Sequence, residues 1–154
     1  MSIAKFIKQN AKFFSQISYD RTRYGWDFST WTTSIKQPGI YFIVMNVNGI
    51  LDILKIGKAE GQNGLYQRFT YYKSSAVNRV DTDRTIFPLH NAMLDVEKKY
   101  GKNCKMELHI MPIEKTLVKM HGFTVEASVI RSLELQLSIA AKTEGHSMLL
   151  SGQD

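Results

Sequence analysis

A single cysteine, Cys104, excludes any disulfide within the chain, and the simplest setting for such a sequence is a reducing, cytoplasmic one. That cysteine sits in Lys102-Asn103-Cys104-Lys105 beside an expected strand and reads as a small hydrophobe rather than a nucleophile. No apolar run approaches the roughly 20 residues of a membrane-spanning helix. The longest, Ile40 to Met45 extended by Val47, has a strand's length, so no membrane partner is expected. Internal repeats, low-complexity tracts and linkers are missing, as is any long segment of low hydropathy and high charge, which speaks against extended disorder. His90 and His109 lack metal-ligand spacing to each other or to the cysteine, which argues against a zinc site.

What remains is an ordinary globular composition with a basic balance. Hydrophobic residues make up 44% and charged residues 22% of 154 residues, enough for one domain that needs no covalent staples. Twenty Lys and Arg against fourteen Asp and Glu give +6, which points to polyanionic partners without choosing among them.

The N-terminal stretch carries Ile3, Phe6, Ile7, Ala11 and Phe14 at helical spacing, predicting a helix over 3–16. With Lys5, Lys8 and Lys12 and no acid before Asp20 it has a transit peptide's amphipathic, basic character, but Phe6, Phe13 and Phe14 are expected to dock on the domain. Tyr19 to Ser34 reads as a structured aromatic excursion, so that residues 1–36 form an N-terminal extension of a single domain, 1–154. Arg21, Arg23, Trp26 and Trp31 could grip nucleic acid there, although aromatic anchors packing a loop onto a core are commoner.

After Pro38-Gly39, the β-branched and aromatic run Ile40 to Met45 predicts a strand, and Leu51 to Ile56 a second, with Asn48-Gly49 as a strong hairpin signal between them. Helical patterns follow at 63–74, at 86–100 with Pro88 in the first turn, and at 124–142, with a strand at Lys105 to Met111. The order α-β-β-α-α-β-α describes an α/β (α+β) fold with a small, mostly antiparallel three-stranded sheet flanked by helices.

Several chemistry-bearing residues fall in a recognisable order. Gly39-Ile40-Tyr41 opens the first hairpin strand and Lys55-Ile56-Gly57-Lys58 closes the second; Arg68 and Tyr72 lie one turn apart on the following helix, and Glu134 lies on the last. From residue 39 to about 145 the chain resembles the GIY-YIG nuclease family, and more narrowly its phage endonuclease II-like branch. The resemblance implies a DNA endonuclease, of phage or restriction type, that hydrolyses phosphodiesters with Mg2+ or Mn2+. It assigns Tyr41 to the attacking water, Arg68 and Tyr72 to the scissile phosphate and Glu134 to the metal.

Chemistry agrees with these residue types. A phenol of ordinary pKa near 10 is a weak base at neutral pH, so Tyr41 needs positive charge close by. Lys55, standing where the family usually has a second tyrosine, can supply it. A lysine inside the apolar run Leu51, Ile53, Leu54, Ile56 is expensive to bury unless paired or working on an anion; it would orient the water, neutralise the phosphate or protonate a leaving oxygen. The planar fork of Arg68 suits phosphoryl oxygens. Glu134 lies amid Ile130, Leu137 and Ala141, where a divalent ion offsets the carboxylate's burial. Glu126 is less suited because it opens the expected helix, and Glu144 because it lies at the fraying end. Lys58 is a further phosphate contact, and Lys73, Arg79 and Arg84 mark a candidate DNA-binding segment, with Asp81 and Asp83 equally compatible with a solvated loop.

Three further expectations can be set against coordinates. Tyr41 and Lys55 must share a sheet face; a three-residue loop, Val47-Asn48-Gly49, pairs them, whereas a two-residue turn sets Tyr41 opposite Ile56 and turns Lys55 away. The family's late asparagine is replaced by Glu144-Gly145-His146-Ser147, so either His146 or Ser147 makes its hydrogen bonds, or the C-terminus is remodelled, or activity is reduced. That departure keeps open an alternative, a catalytically impaired nucleic-acid-binding or scaffolding protein of the same fold. Finally, one site cuts one strand, so a homo-oligomer, dimer or tetramer, is expected of an enzyme that breaks both.

Overall fold

The computed structural model describes residues 2–22, 25–32, 35–73, 86–127 and 129–151. Its first helix, α1, is Ile3–Asn10, capped by Ser2, whose hydroxyl accepts the Lys5 N–H at 3.2 Å. The helix expected over 3–16 therefore stops early, and Lys12–Asp20 is a strand, β1. Beyond Asn10 the inward positions Ser15, Ile17 and Tyr19 alternate with a period of two, which a strand satisfies and a helix does not. Gly25–Phe28 forms β2 against it, so part of the supposed aromatic excursion is also sheet. Phe6 meets Phe42 edge-on and Phe14 packs near Phe69, whereas Phe13 stays 56% exposed.

The central hairpin is β3 (Gly39–Val47) and β4 (Ile50–Ala59). Its turn has two residues, not three: Val47 pairs with Ile50, and Asn48 and Gly49 take φ of 54° and 87°. Positive φ at both central positions is what an Asn-Gly turn favours. By itself this turn would put Lys55 on the wrong face. A bulge corrects it, because Val44 pairs with Ile53 but Ile43 pairs with Lys55, leaving Leu54 as the extra residue. Tyr41 thus stands opposite Gly57, and Lys55 shares its face two positions along.

The remaining elements are α2 (Gly64–Lys73), α3 (Ile86–Tyr100), β5 (Met106–Pro112), β6 (Thr116–Met120), β7 (Phe123–Ala127) and α4 (Val129–Thr143). The main sheet has five antiparallel strands in the order β2-β1-β5-β3-β4, rather than three, and β6-β7 is a separate two-stranded ribbon. Residues 124–127, expected to open the last helix, belong to that ribbon. Glu126 is therefore a strand residue, ion-paired with Lys115 at 3.0 Å, and not a helix cap.

Every residue from Gly39 to Met45 is buried, because both faces of β3 are covered. Tyr41, Ile43 and Met45 pack with Phe69 and Tyr72 of α2 and with Met93 and Val96 of α3. On the other face, Ile40, Phe42 and Val44 pack with Ile3 and Ile7 of α1 and with Ile130, Leu137 and Ala141 of α4. Each buried Val, Leu, Ile, Phe or Met among them contributes roughly 1.5–3 kcal/mol by leaving water. The chain after α4 closes the outer edge of β4 at the bulge: Met148 N–H donates to Ile53 O and Leu150 N–H to Leu54 O, both at 2.9 Å.

Candidate active site

Tyr41 is wholly buried, and its ring lies over Gly57 of the neighbouring strand. A Cβ built at Gly57 would land on that ring, so the glycine is there for close approach of a side chain. The ring meets Phe69 edge-on at 5.4 Å, and its hydroxyl lies 3.2 Å from the Tyr72 hydroxyl. Tyr72 is itself 2% exposed and stacks on Trp26 at 4.5 Å. Trp26 is thus a core anchor and holds one member of the tyrosine pair.

Replacing Gly57 by alanine is expected to destabilise the chain by about 1–3 kcal/mol, the usual range for overpacking. Gly61, where an added Cβ meets only the Gln67 side chain at 3.5 Å, supplies the control. Thermal melts of the two variants check this: equal melting temperatures would mean the Tyr41 ring moves aside at no cost.

Lys55 is 2% exposed, among the few buried polar side chains of the described residues. It lies across from Ile43 on the Tyr41 face. Arg68, half-buried on α2, is one turn before Tyr72 and lines a cleft with Ala59, Glu60, Gly61, Gly64 and Gln67. Helix α2 is fixed at its start by the chain entering β3, since Leu65 and Tyr66 donate their N–H groups to Gln37 O and Ile35 O at 2.9 and 3.0 Å. Gly64 makes this possible: its φ is 47°, and a Cβ there would strike the Gln37 carbonyl.

Glu134 is half-buried on α4, between Ile130 and Leu137. That helix covers the sheet face opposite Tyr41, so Glu134 is not on the same surface as the tyrosine pair. Both α2 and α4 nevertheless pack against β4, the outermost strand. Glu60, just past the end of β4, lines the Arg68 cleft and also a second cleft with Ile130 and Arg131, one turn before Glu134. Arg68 and the first turn of α4 thus flank the end of β4. Among the described residues no three His, Cys, Asp or Glu side chains gather as a multi-ligand metal site.

The remaining candidates have local partners. Lys58 pairs with Glu60 at 3.0 Å, and Lys73 lies over the Trp31 ring at 4.3 Å. Arg21 pairs with Glu97. Arg23, Arg79 and Arg84 lie outside the described residues. Tyr19 hydrogen-bonds His90 at 2.8 Å, and His109 lies 3.1 Å from Glu107. Burial pushes the Cys104 thiol up, the reverse of nucleophile activation.

The C-terminal turn is tied to β4 and to the start of α1. Ser147 donates its N–H and hydroxyl to Asp52 at 2.8 and 2.7 Å, and His146 Nδ1 accepts the Ile53 N–H at 3.1 Å. Glu144, expected to fray, accepts the N–H of Ile3 at 2.8 Å. Glu60 and Asp52 carry this geometry without a local signal in the sequence, whereas Gly57 stood in the Lys55-Ile56-Gly57-Lys58 motif and, as a glycine inside a strand, marks a close approach.

No protein-family model and no curated protein sequence matches the chain. Among solved structures it is similar to the restriction endonuclease HPY188I in complex with product DNA, at 12% identity over 90% of this chain and 78% of that one, with a TM-score of 0.46. It is also similar to a mutant of bacteriophage T4 EndoII, at 18% identity over 93% of this chain and 95% of that one, with a TM-score of 0.55. The latter likeness is one of fold alone.

Proposed function

We propose that the chain is a metal-dependent DNA endonuclease of the GIY-YIG kind, working at the β4 edge between α2 and α4. The observation that carries this reading is the buried set of Tyr41, Tyr72 and Lys55 on one side of the hairpin, with Arg68 one turn away. Two phenols and an ammonium group are a poor way to fill a core, since each brings a polar group that apolar packing would not need. The EndoII fold and the basic charge support the same reading.

In this reading Tyr41, buried and held by the Tyr72 hydroxyl, acts from beneath the site, setting the position of α2 and Arg68 rather than touching the attacking water. Lys55 supplies positive charge to the same face. Arg68 clamps two phosphoryl oxygens with its fork and holds the scissile group in line. Glu134 suits a hard cation, being a half-buried carboxylate flanked by apolar neighbours, and magnesium commonly takes one or two such ligands plus water. Once bound, the ion would neutralise charge developing on the phosphate. Lys58 and Lys73 would steer the backbone, and two copies would serve the two strands.

Supercoiled plasmid tests the proposal. Conversion to the nicked form with Mg2+ or Mn2+, stopped by a chelator, is the expected result, with RNA run beside it to establish which polymer is cut. Binding without cutting would overturn the enzyme reading in favour of an inactive nucleic-acid-binding protein.

A further inference from the structure

Two half-buried rings beside α2 are each capped by an amine. Trp31, on the chain leading into β3, meets the Tyr66 ring at 5.6 Å with the planes tilted by 45°. Lys73 Nζ lies 4.3 Å from the centre of the Trp31 ring, over its face, and Lys36 Nζ 5.4 Å from that of Tyr66. Rings that serve only as anchors turn their faces inward, as Trp26 does against Tyr72. These two keep part of their surface in water, under ammonium groups on flexible stems. A cation–π contact at an exposed site is weak, so the amines exchange readily for another planar partner.

Charge narrows that partner. Neither the stretch from Phe28 to Leu51 nor that from Gly61 to Lys73 contains an acid, while Lys36, Arg68 and Lys73 lie in them. Cations interleaved with rings suit a strand that carries one phosphate per base. An acidic peptide would use the amines and leave the ring faces without a planar partner. Within a duplex each base face is already covered by its neighbours, so the rings serve a base outside the stack.

Position links this surface to the cleft. Tyr66, Thr70 and Lys73 follow at i, i+4 and i+7 along one flank of α2, and Arg68 projects from the other, with Leu65, Phe69 and Tyr72 turned to the core between them. A helix is about 10 Å across, the rise of about three stacked nucleotides. We propose that Trp31 and Tyr66 stack on unpaired bases of the bound strand, about three nucleotides from the phosphate at Arg68, while Lys36 and Lys73 leave the rings for the adjoining phosphates. The inference rests on the nuclease reading for the polymer, DNA, and names its substrate as DNA that is unpaired beside the cut.

Fluorescence and anisotropy titrations of the full chain with oligo(dT), and with a duplex of equal length, test this. The chain has two tryptophans, and Trp26 is buried against Tyr72, so quenching by oligo(dT) reports on Trp31. Quenching is expected in the wild type and not in W31F. W31L and Y66L are each expected to bind oligo(dT) about tenfold more weakly, the scale of losing one stacked base, with W31F nearer the wild type and duplex affinity changed by less than about threefold. An unquenched wild type overturns the proposal, as does an equal loss of affinity for single strand and duplex. Because W31F keeps an aromatic ring in place, the quenching decides even where the leucine variants melt early. Quenching without plasmid nicking would fail the nuclease reading alone, and nicking without quenching would fail the stacking surface alone.

Discussion

Glu134→Gln and Arg68→Ala are each expected to slow cleavage by about 10³-fold, the scale of losing one main group that stabilises charge on the reacting phosphate. Affinity for DNA should stay within about threefold, since one phosphate contact among many is a small share of backbone binding. Single-turnover cleavage at saturating DNA, paired with fluorescence anisotropy, separates the two quantities. Arg68→Lys should recover only part of the rate, because an ammonium keeps the charge but not the two-pronged geometry. The pair is informative because the residues stand on helices that cover opposite sheet faces and both pack against β4. Near wild-type rates in both variants would mean that no cleavage centre spans that edge.

Much of this arrangement was legible in the chain because the relevant signals are local. Asn48-Gly49 marks the turn, the unbroken apolar run of β3 marks a strand covered on both faces, and Lys55 stands out as a charge in an apolar stretch. Helices α2 and α3 begin and end within a residue or so of where their patterns put them. What escaped is non-local. Phe6, Ala11 and Phe14 fit a helix as an isolated segment, and only pairing with β5, almost a hundred residues away, makes Lys12–Asp20 a strand. The bulge at Leu54 leaves no trace in composition, yet it reverses the facing of Lys55 that the two-residue turn alone would impose. Likewise His121-Gly122, both at positive φ, turns the β6-β7 ribbon where apolar spacing suggested an earlier start to α4.

Asp52→Ala is expected to lower stability by about 3 kcal/mol, a loss of about 10 °C in melting temperature for a domain of this size. This one carboxylate accepts the Ser147 N–H at 2.8 Å, the Ser147 hydroxyl at 2.7 Å, the Tyr100 hydroxyl and the Lys99 ammonium at 3.3 Å. It thereby joins β4 and the end of α3 to the segment that closes the β4 edge. Lys99 is half-exposed and adds little through screened charge; the Ser147 and Tyr100 bonds are the sheltered ones. Burial by itself raises the Asp52 carboxyl, but the bonds from Ser147, Tyr100 and Lys99 together outweigh it and leave the group below its ordinary value of 3.8. Burial, then the hydrogen bond and charge of Asp52, push the Tyr100 phenol above the usual tyrosine range. A depressed carboxylate stabilises the fold fully above its unfolded value and loses that contribution as pH falls through the folded one. A raised phenol stabilises below its unfolded value and loses its share as pH rises through the folded one. The wild type should therefore melt highest between about pH 4 and pH 10 as far as this cluster is concerned, and fall away on the acid side. Asp52→Ala should flatten that acid limb, and Tyr100→Phe should lower the plateau while keeping the limb. An alanine variant melting within about 2 °C of wild type at neutral pH would show that the C-terminal segment holds the β4 edge through Met148 and Leu150 alone.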